Sequence, residues 1–107
     1  GASAQHLCKG QIDTIADSLA SPLAMPYSFG VTHRYADQIV RVTDAELRGA
    51  MRTYQEVLKI TAEPACAASL AALIGPLKDM ATGRKVGLIA CGSNISMARY
   101  EVLLKDA

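Results

Sequence analysis

The segment Cys91-Gly92-Ser93-Asn94 contains the residue types in this chain that are best suited to chemistry. It follows an unbroken apolar run and brings together a thiol, a glycine, a hydroxyl and an amide. In open α/β sheets, ligands bind beyond the carboxyl ends of the strands. Glycine allows close approach of the backbone, and the amides that begin a following helix could bind an anion or a polar heterocycle. The segment is therefore a candidate ligand site.

The same four residues also have a purely structural interpretation, which the spacing alone favours. A strand-to-helix turn requires a glycine, Asn94 or Ser96 would cap the next helix, and Cys91 would be a small buried apolar residue. The segment matches neither the G-x-G-x-x-G dinucleotide fingerprint nor a P-loop. On the spacing, both interpretations stay open.

Two carboxylates are further candidates for the same site. Glu63 precedes Pro64 at a predicted helix start, where the helix dipole stabilises a carboxylate by about 0.3–1 kcal/mol without any function. If that helix start faced the same cleft as Cys91, Glu63 would be a polar contact to a ligand. Asp17, in the loop TIADS, is a weaker candidate, because an Asx-turn explains it equally well.

Length, charge and cysteine spacing exclude several classes of protein. The 107 residues carry a net charge of +1 and are half apolar, which predicts one small α/β domain over residues 1–107, with residues 1–11 loosely held. The balanced charge argues against nucleic acid or a membrane as partner. No span or secretory signal is visible, so a cytoplasmic protein is expected. Cys8, Cys66 and Cys91 have no spacing typical of metal ligands, and no metal site is predicted.

The elements that must position these residues begin with two helices. Pro26 suits the first position of a short helix that extends to about Ala36. Thr43 and Glu46 form a capping box, which starts a second helix. Partial burial is expected for two aromatic residues of the first helix, Phe29 and Tyr35. The inward face predicted for the second helix consists of Leu47, Ala50, Met51, Tyr54 and Leu58.

Two more helices follow from similar signals. The residue before a proline is pushed out of helical space, so a helix is expected to begin at Pro64 and to end or kink at Gly75-Pro76. Its apolar stripe is Ala67, Leu70, Leu73, Ile74 and Leu77. The last helix is predicted from about Ser96 to Lys105. Its inward residues are Tyr100, Leu103 and Leu104.

Two strands complete the prediction, QIVRV at residues 38–42 and VGLIAC at residues 86–91. The second strand has no polar alternation, which is typical of a strand buried on both faces. Alternating strands and helices favour a small parallel sheet flanked by helices. Two strands are marginal by themselves, so a third strand in the N-terminal half or pairing with another chain is expected.

Four motifs, taken in order, resemble a known family. TIADSLA, QIVRVTDAELRGAM, EPACAASLAAL and KVGLIACGSNI resemble the C-terminal stretch of the pyridoxal-phosphate-dependent serine/threonine dehydratases. This fold type II group also includes serine racemase and threonine deaminase. The resemblance covers residues 12–107 and implies the C-terminal part of the large domain of such an enzyme.

The resemblance assigns roles only where positions match. Cys91 takes the place of the Ser or Cys that meets the pyridine nitrogen of the cofactor, and a neutral thiol would leave that nitrogen largely unprotonated. Gly92 and Asn94 match the turn beside the ring, and Glu63 matches a glutamate near the cofactor. Asp17 matches the aspartate of the T-I-A-D loop, whose role is left open.

The chain departs from the family pattern by substitution and by absence. Ser18, Cys66 and Ser93 stand where the family has glycine, and the last two would narrow the pocket. Nothing in the sequence matches the Schiff-base lysine or the glycine-rich phosphate loop, so the chain alone is expected to lack dehydratase activity and no catalytic residue is assigned.

Two hypotheses of different classes follow. In the first, the chain is the C-terminal segment of an enzyme that converts a hydroxy amino acid to a keto acid and ammonia by β-elimination. It then contributes contacts to the pyridoxal phosphate ring and needs an N-terminal half or another copy as partner. In the second, it is a free-standing binding or assembly module derived from that fold.

Overall fold

The computed structural model describes residues 13–107. The chain divides into two compact units, Gly1–Ile39 and Val40–Ala107. The first unit contains helix α1, Pro26–Tyr35; the second contains α2, Asp44–Thr53, α3, Pro64–Ile74, α4, Lys78–Ala81, and α5, Met97–Lys105. Whether residues 1–107 behave as one domain stays a prediction. The expected loose N-terminus falls on residues that lie outside the described range.

The predicted sheet is not found in the described residues. Residues 38–42 and 86–91 belong to neither a strand nor a helix. A strand needs a neighbour that completes its backbone hydrogen bonds, and residues 13–107 supply none for either segment. The prediction of a strand buried on both faces is wrong as well, because Val86 is 47% and Ile89 77% exposed.

In the first unit, the predicted start of helix α1 is confirmed, but only one of the two aromatic residues expected to be partly buried is so. The helix begins at Pro26, and Phe29 is half-buried and stacks on His33 with ring centroids 5.8 Å apart. Tyr35 is 70% exposed, with the Arg34 guanidinium 5.5 Å from its ring centroid. The expectation that Tyr35 is partly buried is therefore wrong.

The core of the second unit lies where α2 packs against α3. Leu47, Ala50 and Met51 of α2 are buried, as are Ala67 and Ala71 of α3. Alanine side chains allow two helices to approach closely, while Met51 fills the remaining space. The inward face predicted for α2 is confirmed at these positions.

A π-helical turn, Tyr54–Leu58, extends α2 and ends at Lys59, whose φ of 58° is left-handed. Tyr54 is buried with Ala62 and Cys66, and Leu70 packs against this group. Leu58 is 58% exposed. Its predicted inward position is wrong, because the wider turn breaks the spacing of three and four residues on which the prediction depended.

The capping box at the start of α2 is confirmed. The Glu46 backbone N–H donates to Thr43 Oγ1 at 3.2 Å, and the Thr43 N–H donates to Glu46 Oε2 at 2.6 Å. Two amides that the helix leaves without partners are thus satisfied by neighbouring side chains.

Substituting Thr43→Ala should lower the free energy of unfolding by about 1 kcal/mol, because the Glu46 amide loses its acceptor. Urea unfolding followed by circular dichroism measures the change. Thr43→Ser is the matched control, since it keeps the hydroxyl and should lie near the native protein. Equal losses in the two variants would contradict the capping role.

Helices α3 and α5 also begin as predicted. Pro64 is the first residue of α3, and the helix ends at Ile74 before Gly75. Ser96 caps α5 by accepting from the Arg99 N–H at 3.2 Å. Of the predicted stripe of α3, Ala67 is buried but Ile74 is 48% exposed. The inward residues of α5 are confirmed for Tyr100 and Leu103, which are buried, and Leu104 is half-buried.

No helix among the described residues is both long enough and apolar enough to span a bilayer.

Candidate functional site

Two of the predicted site residues, Glu63 and Gly92, are in direct contact. The Glu63 backbone N–H donates to the Gly92 carbonyl oxygen at 3.1 Å. The Glu63 side chain also covers the α-carbon of Gly92, since a Cβ atom added there would lie 3.2 Å from Cδ of Glu63 and closer still to its Oε1. The start of α3 and the segment 91–94 thus form one structural feature.

The local sequence explains why Glu63 can make both contacts. Pro64 holds the preceding residue in an extended conformation, and Glu63 has φ −71° and ψ 162°. Its side chain makes no capping hydrogen bond to α3, so the carboxylate is not used at the helix start. The carboxylate lies instead against Gly92.

The space beside Gly92, and not its backbone conformation, is what distinguishes this glycine. Among the described glycines, the positive φ belongs to Gly83, at 77°, and not to Gly92. The group that lies closest to the Cβ position of Gly92 is the Glu63 side chain, and the predicted approach of the backbone to a ligand stays a prediction. Any larger residue at position 92 would have to displace that side chain.

A second contact attaches residues 86–91 to α3. Ser69 Oγ donates to the Ile89 carbonyl oxygen at 3.0 Å. Sequence reasoning missed Ser69. The signal that could have found it is the hydroxyl within the apolar run of EPACAASLAAL, because a polar side chain at such a position usually has a specific hydrogen-bond partner.

The cysteines differ in burial, and this difference bears on the two interpretations of residues 91–94. Cys66 is buried and Cys91 is exposed, and both are free thiols. The structural interpretation of Cys91 as a small buried apolar residue is therefore wrong, and Cys66 is the cysteine in that role. Asn94 is exposed, and the cap of the following helix is Ser96 rather than Asn94.

Asp17 belongs to the first unit, in a short 3₁₀ turn, Asp17–Leu19. Its Oδ1 accepts from the Ser18 backbone N–H at 2.9 Å. This local contact agrees with a role within the turn.

A cavity of about 450 Å³, lined by both charged and apolar side chains, lies in the second unit beside α5. Tyr100 donates from its hydroxyl to Gln55 Oε1 at 3.3 Å. Burial raises the pKa of Tyr100, and its side-chain hydrogen bond with Thr61 opposes this more weakly. Lys105 pairs with Glu101 at 3.5 Å. The phenol is therefore protonated at neutral pH and is held by neighbouring side chains.

An apolar groove of about 280 Å³ lies on the same unit. Its lining residues include Tyr54, Leu58, Ile60, Leu70 and Leu88. The Tyr54 hydroxyl is buried without a hydrogen-bond partner among the described residues. Buried polar groups are normally paired, and Arg48 Nε and Arg52 Nε are the other buried side-chain atoms of the described residues that lack a partner.

Residues 2–92 match the family described as pyridoxal-phosphate dependent enzyme. The chain is 44% identical to phenylserine dehydratase of Ralstonia pickettii over 91 residues, which are 85% of this chain and 28% of that protein. It is 35% identical to L-threo-3-hydroxyaspartate ammonia-lyase of a Pseudomonas species over 92 residues, 86% of this chain and 28% of the relative. This chain therefore belongs to the family of pyridoxal-phosphate-dependent enzymes.

The fold comparison gives the same result. The crystal structure of serine racemase from Dictyostelium discoideum superposes with a TM-score of 0.73 at 34% identity, over 81% of this chain and 29% of that one. The resemblance to the dehydratases is thus confirmed, and so is the dependence of the family on pyridoxal phosphate. The chain spans a little over a quarter of the length of these relatives.

The chemistry of two exposed side chains at this site is compatible with a polar heterocycle. Cys91 presents a thiol and Asn94 an amide, whereas the half-buried Glu63 side chain occupies the space where a Cβ atom of residue 92 would lie. Two of the lysines are engaged locally: Lys59 Nζ donates to the Glu56 carbonyl oxygen at 3.1 Å, and Lys105 pairs with Glu101.

Proposed function

We propose that this chain forms one wall of the cofactor site of a pyridoxal-phosphate-dependent dehydratase or ammonia-lyase. The observation that supports this best is the contact between Glu63 and Gly92, which brings two separate family motifs together beside an exposed Cys91. The reaction is β-elimination of a hydroxy amino acid to a keto acid and ammonia. Names such as phenylserine dehydratase and hydroxyaspartate ammonia-lyase among the relatives favour this substrate class.

The side chains of this wall have separate tasks. When bound, pyridoxal phosphate supplies the electron sink that elimination requires. The Cys91 thiol is a weak hydrogen-bond donor and would face the ring nitrogen. Gly92 and Asn94 would border the ring, and Glu63 would lie beside them. The task of these residues would be to bind and orient the cofactor.

The catalytic lysine and the phosphate-binding loop have to come from the remaining portion of the family fold, on the same or another polypeptide. An exposed apolar surface supports such a partner. We call this surface the apolar edge, and its residues are Val57, Leu58, Ile60, Val86, Leu88 and Ile89. Val57, Leu58, Ile60 and Leu88 line one groove, and exposed apolar surface of this kind marks a site of association. Residues 86–89 form no strand within residues 13–107, so a neighbouring strand could supply partners for their backbone hydrogen bonds.

The alternative hypothesis is that the chain is a free-standing module. In that case, two copies of the chain would associate through the apolar edge. A cytoplasmic location stays a prediction. The two hypotheses share the expectation that the purified chain does not carry out the reaction by itself.

Reduction with borohydride tests the proposal directly. The purified chain is mixed with pyridoxal phosphate, reduced, digested and analysed by mass spectrometry. We expect weak labelling spread over exposed lysines, as for any protein with accessible amines. A stoichiometric pyridoxyl adduct on one defined lysine would overturn the view that the chain lacks the covalent attachment site.

A further inference from the structure

We propose that Glu63 is a positioning residue that holds Cys91 in place by occupying the space above Gly92. Its relevance to catalysis rests on the function proposed above. Glu63 then acts on the cofactor site through the Cys91–Gly92 backbone, and its carboxylate is not primarily a ring contact.

Two independent contacts fix the α-carbon next to Cys91. The Glu63 backbone N–H donates to the Gly92 carbonyl oxygen at 3.1 Å. A Cβ atom added to Gly92 would lie 3.3 Å from Cγ and 3.2 Å from Cδ of Glu63. Glu63 thus restrains Gly92 with both its backbone and its side chain. The restraint passes through a single peptide unit to Cys91.

The carboxylate has no competing task among the described residues. It makes no capping hydrogen bond, and no ion pair or other hydrogen bond of the Glu63 side chain exists within residues 13–107. A half-buried carboxylate without such partners is retained by contact of its carbon atoms with Gly92. The shape of the side chain is therefore what positions the segment.

The experiment measures how fast Cys91 of the cofactor-free chain reacts with iodoacetamide, with the Cys91 peptide quantified by mass spectrometry. Gly92→Ala should accelerate alkylation at least about three-fold, since an added Cβ displaces Glu63 and releases the segment. Glu63→Ala should produce a similar acceleration. Glu63→Gln keeps the shape and should stay within about two-fold of the native rate.

The double variant distinguishes positioning from general destabilisation. In the Glu63→Ala background, Gly92→Ala should raise the alkylation rate of Cys91 by less than about two-fold, because the Glu63 side chain that the new Cβ would displace is already absent. Gly87→Ala is the matched control in the same segment: an added Cβ there meets no atom within 4 Å, and the native rate should persist. Circular dichroism checks that each variant is folded.

The inference is overturned if Gly92→Ala has the same effect in both backgrounds, or if Glu63→Ala reacts like the native chain. If Gly92→Ala does not fold, the alkylation rates of Glu63→Ala and Glu63→Gln are sufficient to test the inference. No cofactor is present in this experiment, so its outcome is separate from that of the borohydride test. Positioning can fail while the proposed function stands, and the reverse also holds.

Discussion

Met51→Ala should lower the free energy of unfolding by about 2–5 kcal/mol. Met51 is fully buried, in the helix that packs against α3. Removing its side chain loses the transfer free energy of the deleted atoms and leaves a cavity, which rigid helices close only in part. A chain of this size has about 5–15 kcal/mol in total, so a large share of its stability is at risk. Urea unfolding monitored by circular dichroism measures the loss.

Met80→Ala is the control for the same chemical change on the surface. Met80 is 52% exposed and lies in the short helix α4, so its replacement should change the unfolding free energy by less than about 0.5 kcal/mol. Similar values for the two substitutions would show that the interface of α2 and α3 is not the core of the unit.

The helix starts were predictable because their signals are local. Thr43 and Glu46 are three residues apart and satisfy each other's amides, and Pro64 fixes the backbone on either side of one peptide bond. Neither signal depends on the rest of the chain. The end of α2 was less predictable, since the π-helical turn that exposes Leu58 has no comparable signature in the sequence.

The sheet could not be predicted correctly from the same sequence. The apolar pattern of residues 86–91 describes the surroundings in which a segment is stable, and here the described residues do not provide those surroundings. Val86 and Ile89 are consequently exposed. Apolar composition indicates that a segment has to be covered, but it does not state which polypeptide covers it.

The candidate site was less predictable than the helix starts but more predictable than the sheet. Glu63 and Gly92 are distant in sequence, and neither residue alone distinguished a ligand site from an ordinary turn. The order of four family motifs is what placed them together, and the hydrogen bond between them agrees. The exposure of Cys91 required the structure, because burial of a cysteine depends on packing partners that spacing does not specify.

Co-expression with the complementary part of a relative should restore activity that the chain alone lacks. Phenylserine dehydratase of Ralstonia pickettii, truncated before the segment that matches this chain, is the source of the complementary part, which by the family resemblance would contain the Schiff-base lysine and the phosphate loop. We expect the co-purified pair to release ammonia from at least one of serine, threonine and phenylserine. Neither part by itself should do so, because in the proposed arrangement each would contribute only one wall of the cofactor site.

The apolar edge should determine whether that pair forms. Ile89→Lys places a charge on a side chain that is 77% exposed in this chain and that the proposed pairing would bury, so the dissociation constant should rise about ten-fold or more. Val102→Lys, on the 57% exposed face of α5 outside the edge, should change it less than about two-fold. A pair that forms equally well with Ile89→Lys would place the contact elsewhere. Absence of ammonia release from a well-formed native pair would instead favour the free-standing module, since the two walls would then meet without making a competent site.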